Sequence, residues 1–132
     1  MKKIGLLHGE LSKTLALLAH DDTLLIGDAG MPVPNGVTLI DLAVTNGIPG
    51  FLDVLKSVMS EMLVAEAYID KEQATVSPKM HAHLKEIVGD SFKLIEYPHE
   101  EIKRMSERAK AAIRTGEFIP YANIILKAGV LF

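Results

Sequence analysis

Leu24 to Pro34, LLIGDAGMPVP, restricts what this chain can fold into more than any other stretch. The run Leu24-Leu25-Ile26 has the length and composition of a buried strand, and it stops at Gly27. Asp28 then presents a single carboxylate. Ala29, Gly30, Pro32 and Pro34 follow, a composition in which neither helix nor a central strand persists. A buried strand that ends in an acid on a stiff loop is where α/β proteins commonly carry their binding groups. His20 stands eight positions before Asp28, where a helical pattern runs out. A helix, a tight turn and a strand could bring that imidazole to the mouth of the Asp28 loop, which makes His20 with Asp28 the first candidate pair.

The flanking sequence predicts strands alternating with short helices. Ile4 to Leu7 reads as a first strand closed by His8-Gly9, and leucines at 11, 15 and 18 fall at helical spacing. Val37 to Leu42 reads as a strand. A turn at Asn46 to Gly50 then introduces a helix with Phe51, Leu55, Val58, Met59 and Met62 on one face. In the β-compatible run Leu63 to Ile69, strict alternation puts Val64, Glu66 and Tyr68 on one side and Leu63, Ala65, Ala67 and Ile69 on the other. Ser77 as N-cap, Pro78 in the first turn and Gly89 as stop mark the clearest helix. Phe92 to Tyr97 is a strand, Glu100 to Lys110 an amphipathic helix, and the last segment holds two β-like runs divided by a polar loop. The pattern predicts one α/β domain over 1–132, with a mixed sheet because the closing strands have no helix between them.

Composition narrows the function. Fourteen Lys and Arg against 17 Asp and Glu, with no basic cluster, argue against a nucleic-acid partner. The absence of cysteine removes disulfides, thiolate nucleophiles and Cys-ligated zinc together. At 48% hydrophobic residues and 23% charged ones the chain is apolar for a small monomer, which agrees with coverage by other subunits. No apolar run reaches the roughly 18 to 20 residues of a membrane span or forms a signal-peptide core, so a cytoplasmic protein is expected.

The remaining chemistry is neutral or acidic. His81 and His83 are two apart on a helix, face different ways and make a poor metal pair, so packing or solvation accounts for them. His8 fits a site or a turn role. His20 and His99 each lie where a regular element gives way to a loop beside acids, which suits either a site residue or a surface histidine. Asp28 could serve only its own turn, but the neighbouring glycine and prolines give its loop the stiffness of a binding site. Arg114, Thr115, Glu117, Tyr121 and Asn123 crowd polar groups between apolar runs. Tyr121 and Asn123, two apart in an extended segment, would project on one face, a phenol and an amide suited to a polyhydroxylated ligand. No phosphate loop, zinc-type His-Glu pair or nucleophile elbow occurs, and the inventory fits proton transfer with no metal and no cofactor.

His20, the stretch Gly27-Asp28-Ala29-Gly30-Met31-Pro32-Val33-Pro34, Ile40-Asp41-Leu42, Gly47-Ile48-Pro49, Arg114-Thr115-Gly116-Glu117, Pro120 to Leu126 and Ala128-Gly129-Val130 together resemble the D-ribose pyranase family of the RbsD type. The match runs over nearly the whole chain, Glu72 to Phe92 being undiagnostic. The resemblance implies a single three-layer domain, a mixed sheet flanked by helices. It also implies a cofactor-free isomerase that interconverts the pyranose and furanose forms of D-ribose in support of ribose uptake and catabolism. By the family's pattern His20 is the proton donor, and Asp28, His99 and Tyr121-Ala122-Asn123 bind the sugar. It further implies a ring-based homo-oligomer, typically a decamer, with its cleft near subunit contacts. His8 departs from the asparagine usual there. In the sister L-fucose mutarotases the stretches corresponding to Asp28-Ala29-Gly30 and Tyr121-Ala122-Asn123 usually read Asp-Ala-His and Tyr-Gly-Asn, so Gly30 and Ala122 put this chain on the ribose side. A non-catalytic sugar-binding subunit is the rival of another class.

Overall fold

A computed structural model describes residues 1–132. The strands are β1 (Thr23–Gly27), β2 (Thr38–Asp41), β3 (Val64–Asp70), β4 (Lys93–Tyr97), β5 (Ala111–Arg114) and β6 (Ile124–Ala128). The helices are α1 (Gly9–Leu17), α2 (Phe51–Met59), the single turn α3 (Gln73–Val76), α4 (Pro78–Val88) and α5 (His99–Ser106). The six strands form one sheet in the order β2-β5-β1-β6-β3-β4. Only β6 runs against its neighbours, β1 and β3. The expected mixed sheet is present, although β5 and β6 are not partners, because β1 lies between them.

The layers follow from alternation along the central strands. Leu24, Ile26, Ile113, Ile124 and Leu126 point to one face, where they meet Leu11 of α1, Phe51 and Leu55 of α2, and Met80 and Leu84 of α4. Leu25, Ala112 and Ile125 point to the other, under Ile102 and Met105 of α5 and under Met31 and Val33 of the Asp28 loop. Helices therefore cover one face, while a single helix and that loop cover the other.

Several local expectations change. Ile4 to Leu7 is not a strand: Gly5 turns left-handed at φ 73°, Leu6 drops into the main core, and its N–H donates to the Glu61 carboxylate at 2.5 Å instead of to a ladder. A register shift between Val64 and Glu66 puts Val64 with Ala67 and Ile69 in the main core, while Tyr68 lies on the other face. One extra residue in the ladder reverses the side taken by everything before it. Helix α5 stops at Ser106, short of Lys110, whose N–H already donates to Thr23 O at 2.8 Å to start β5. Ser77 precedes α4 without capping it; its hydroxyl donates to Pro120 O at 2.6 Å and ties the helix start to the C-terminal loop.

Candidate active site

Because β1, β3, β4 and β5 are mutually in the same sense across the sheet, their carboxyl ends share one edge, the edge at which β6 begins. Asp28 follows β1, Asp70 ends β3, His99 follows β4, Thr115 follows β5, and Tyr121 to Asn123 lead into β6. Topology alone thus gathers residues up to 95 positions apart. Gly27 permits the tightest approach. A Cβ there would collide with Met31 Sδ and lie 2.6 Å from Asn123 Oδ1. Thr115, fully buried, donates to Gly27 O through both its N–H (3.0 Å) and its hydroxyl (2.8 Å), locking the ends of β1 and β5 together.

A chain of hydrogen bonds fixes the polar groups. The Asp28 N–H donates to Asn123 Oδ1 at 3.4 Å. Asn123 Nδ2 therefore faces Asp70 Oδ2, at 3.5 Å. Asp70 Oδ1 lies 2.5 Å from His99 Nδ1. The His99 ring meets Tyr121 edge-on, centroids 5.3 Å apart. Tyr121 takes the left-handed φ of 59°, a costly conformation for a non-glycine residue and one found preferentially at functional sites. The expectation of an extended Tyr121–Asn123 segment is corrected accordingly: the two converge through a tight turn in which the Asn123 N–H donates to Tyr121 O at 2.8 Å. Gln73, fully buried, supports that turn by donating from Nε2 to Tyr121 O at 2.9 Å. Ala122 buries its methyl in the main core, so only its backbone is left to face a ligand.

His99 and Asn123 line a cavity of about 210 Å³ with Met31, Pro32, Pro34 and Lys103. Asp28 opens beside it, toward Glu117, Phe118 and Ile119. Burial, with help from the nearby charges of Asp70 and Glu117, pushes the Asp28 carboxyl above the ordinary aspartate range, although the Gly30 N–H hydrogen bond pulls the other way. Burial likewise raises Asp70, against the opposing pull of His99. A carboxyl raised in the native state contributes stability below its unfolded pKa of about 3.9, and that contribution is lost as pH rises through the native value. Asp28→Asn, which keeps an oxygen for the Gly30 N–H, should therefore melt at a higher temperature than the parent at pH 7. The gap should close toward pH 3. Calorimetry across that range checks it, and a variant less stable at neutral pH would contradict it.

His20 is not in this cluster. It sits in the turn before β1, where the Asp21 N–H donates to Ala128 O at the far end of β6. The five residues of β1 intervene, a length of roughly 17 Å. Within one chain the expected closeness of His20 and Asp28 does not occur, because the strand leaves the turn and carries Asp28 to the opposite edge of the sheet. The His20 side chain is 59% exposed and faces the Asp21 carboxylate, Nε2 to Oδ2 at 3.6 Å. His8 has a local task, its Nδ1 accepting the Leu11 N–H at the start of α1. His81 Nδ1 bonds Gln73 Oε1 at 2.9 Å. Arg114 is occupied by Asp41.

Asp70 and Gln73 are the site residues that sequence reasoning missed. Asp70 carries the same signal as Asp28, an acid ending an apolar strand, and could have been found by it. Gln73 carries none, since a buried amide is recognisable only from its partners. No group of three or more His, Cys, Asp or Glu is arranged to hold a metal ion, and no helix is long and apolar enough to cross a membrane.

Comparison with known proteins gives the same direction. The model of the RbsD / FucU transport protein family matches residues 1–131. The D-ribose pyranase of Variovorax paradoxus (strain S110) is 53% identical over 135 aligned positions, and that of Thermoanaerobacter sp. (strain X514) is 49% identical over 132, each covering all of both chains. The structure of Bacillus subtilis RbsD complexed with D-ribose superposes with a TM-score of 0.95 at 43% identity, again over the whole of both chains.

Proposed function

The chain belongs to the RbsD / FucU transport protein family, and we propose that it opens and recloses D-ribose in the cleft at the carboxyl edge of its sheet. The activity is that of a D-ribose pyranase, a sugar isomerase that interconverts the pyranose and furanose forms. The observation that carries this reading is the superposition, over its full length, on a relative solved with D-ribose. The reaction exchanges one hemiacetal ring for another. The bond between the anomeric carbon and the ring oxygen breaks, the ring oxygen takes a proton and the anomeric hydroxyl gives one up. A different hydroxyl then attacks the aldehyde. His20 is the proton donor in this proposal, with a side-chain type whose unperturbed pKa of about 6.5 keeps both protonation states accessible near neutrality. Asp28, His99, Tyr121, Asn123 and the Ala122 backbone hold the sugar hydroxyls.

These roles require two chains. A His20 that acts on a sugar held at Asp28 must come from a neighbouring subunit. The surfaces at the two edges offer what such a contact needs: Leu17, 72% exposed, lies three residues before His20, and Phe118 and Ile119 are exposed beside Asp28. An interface between two different patches is head-to-tail, and when the rotation closes it makes a ring. Two such rings would give the decamer. Ribose catabolism in the cytoplasm is the setting this activity suits.

Magnetisation-transfer NMR on D-ribose tests the reading. The protein should accelerate pyranose–furanose exchange, and His20→Ala should remove on the order of a hundredfold or more of that acceleration while ribose still binds. A protein that binds ribose and leaves exchange at the solvent rate would instead be a sugar-binding subunit.

A further inference from the structure

The reaction needs a base as well as an acid, and we infer that His99, held by the buried carboxylate of Asp70, removes the proton from the anomeric hydroxyl. This deepens the ribose reading and rests on it. The hydrogen-bond chain assigns the tautomer. Asn123 Oδ1 accepts the Asp28 N–H, so its Nδ2 is the atom that faces Asp70 Oδ2. The His99 ring and the Asn123 Nδ2 donor both favour the ionised form of Asp70 against its burial, and an ionised Asp70 can only accept, so the 2.5 Å contact puts the proton on His99 Nδ1 and leaves Nε2 with a lone pair. Asp70 is fully buried, whereas the His99 side chain is 33% exposed and lines the 210 Å³ cavity. A histidine oriented from behind by a buried acid, with its other nitrogen free beside a cavity, is arranged as a general base.

The groups around the ring suit that role. Glu72 accepts the His99 backbone N–H at 3.2 Å, Tyr121 packs edge-on, Lys103 lines the same cavity, and Asp28 is close enough to interact by charge. The step balances. His99 Nε2 takes the hydroxyl proton as the carbonyl forms, the electron pair of the broken C–O bond goes to the ring oxygen, and that oxygen takes a proton from His20. On reclosure the attacking hydroxyl returns a proton to His20, and the carbonyl oxygen recovers one from His99. Asp70 touches no substrate; it is a positioning residue that stabilises the imidazolium formed midway.

The experiment compares His99→Gln and Asp70→Asn with the parent, by ribose exchange NMR at saturating and subsaturating sugar and by ¹⁵N shifts of the His99 ring. His99→Gln retains a hydrogen-bonding group and should lower the maximal exchange rate by about a hundredfold while ribose affinity changes by less than about tenfold. The parent ring should show the Nδ1–H tautomer, and Asp70→Asn should lose that preference together with most of the maximal rate. The inference is overturned by a His99→Gln protein that exchanges ribose at the parent rate, by a loss seen only as weaker binding, or by a parent ring protonated on Nε2 alone. Should Asp70→Asn fail to fold, His99→Gln and the parent shifts still decide. A parent that leaves exchange at the solvent rate overturns the ribose reading as well, which separates the two failures.

Discussion

Co-expressed in equal amounts, His20→Ala and Asp28→Asn chains should recover about a quarter of the parental ribose exchange rate, although each is inactive alone. The expectation follows from the sheet. His20 precedes β1 and Asp28 follows it, so the two residues occupy opposite edges and act on one sugar only across a subunit contact. In the proposed assembly, randomly mixed, each site would take its histidine from one chain and its carboxylate from a neighbour. Both are intact in about one combination of four, and the other combinations carry at least one lesion. Sites contained within a single chain would recover nothing, because every chain carries a lesion. Exchange NMR on the mixture, with native mass spectrometry to verify that the subunits have mixed, reads the result.

The sequence revealed what depends on near neighbours. Leu24-Leu25-Ile26 is apolar on both sides because helices cover one face and α5 with the Asp28 loop cover the other, and that continuity was visible in the residues. Pro78 and Gly89 bounded α4 through their own backbone preferences, Gly89 closing it at φ 49°. What escaped depends on distant partners. Tyr68 and Val64 share a parity in the sequence but face opposite sides, because the irregularity between Val64 and Glu66 arises only in pairing with β6. Ile4 to Leu7 is apolar enough for a strand, yet Leu6 finds its partners in the helical layer. The separation of His20 from Asp28 within one chain escapes the sequence for a related reason. Eight residues is a short separation, but a strand spends most of them travelling in one direction.

Gln73→Leu should destabilise the fold by roughly 3 to 5 kcal/mol and weaken ribose binding, a large effect from a residue that is not itself among the proposed sugar ligands. Leucine nearly preserves volume, so the change isolates the amide. Gln73 Nε2 donates to Tyr121 O at 2.9 Å and lies 3.4 Å from Asn123 O, while its Oε1 receives His81 Nδ1 at 2.9 Å. Asn123 O and His81 Nδ1 would lose this partner, at about 1 to 3 kcal/mol for each left unsatisfied, and Tyr121 O would keep only the Asn123 N–H. The carbonyls belong to the turn that holds Tyr121 at its left-handed φ, and without the amide that backbone has less to keep it there. Tyr121 and Asn123 should then lose their fixed approach to His99 and Asp70. Thermal unfolding should show the lower midpoint and ribose titration the weaker affinity. Gln73→Glu separates the contributions, since it keeps an acceptor for His81 but removes the donor to the two carbonyls. If Gln73→Leu melts with the parent and binds ribose as tightly, the amide is incidental, and the turn before β6 is held by the Ser77 hydroxyl on Pro120 and by the start of the strand itself.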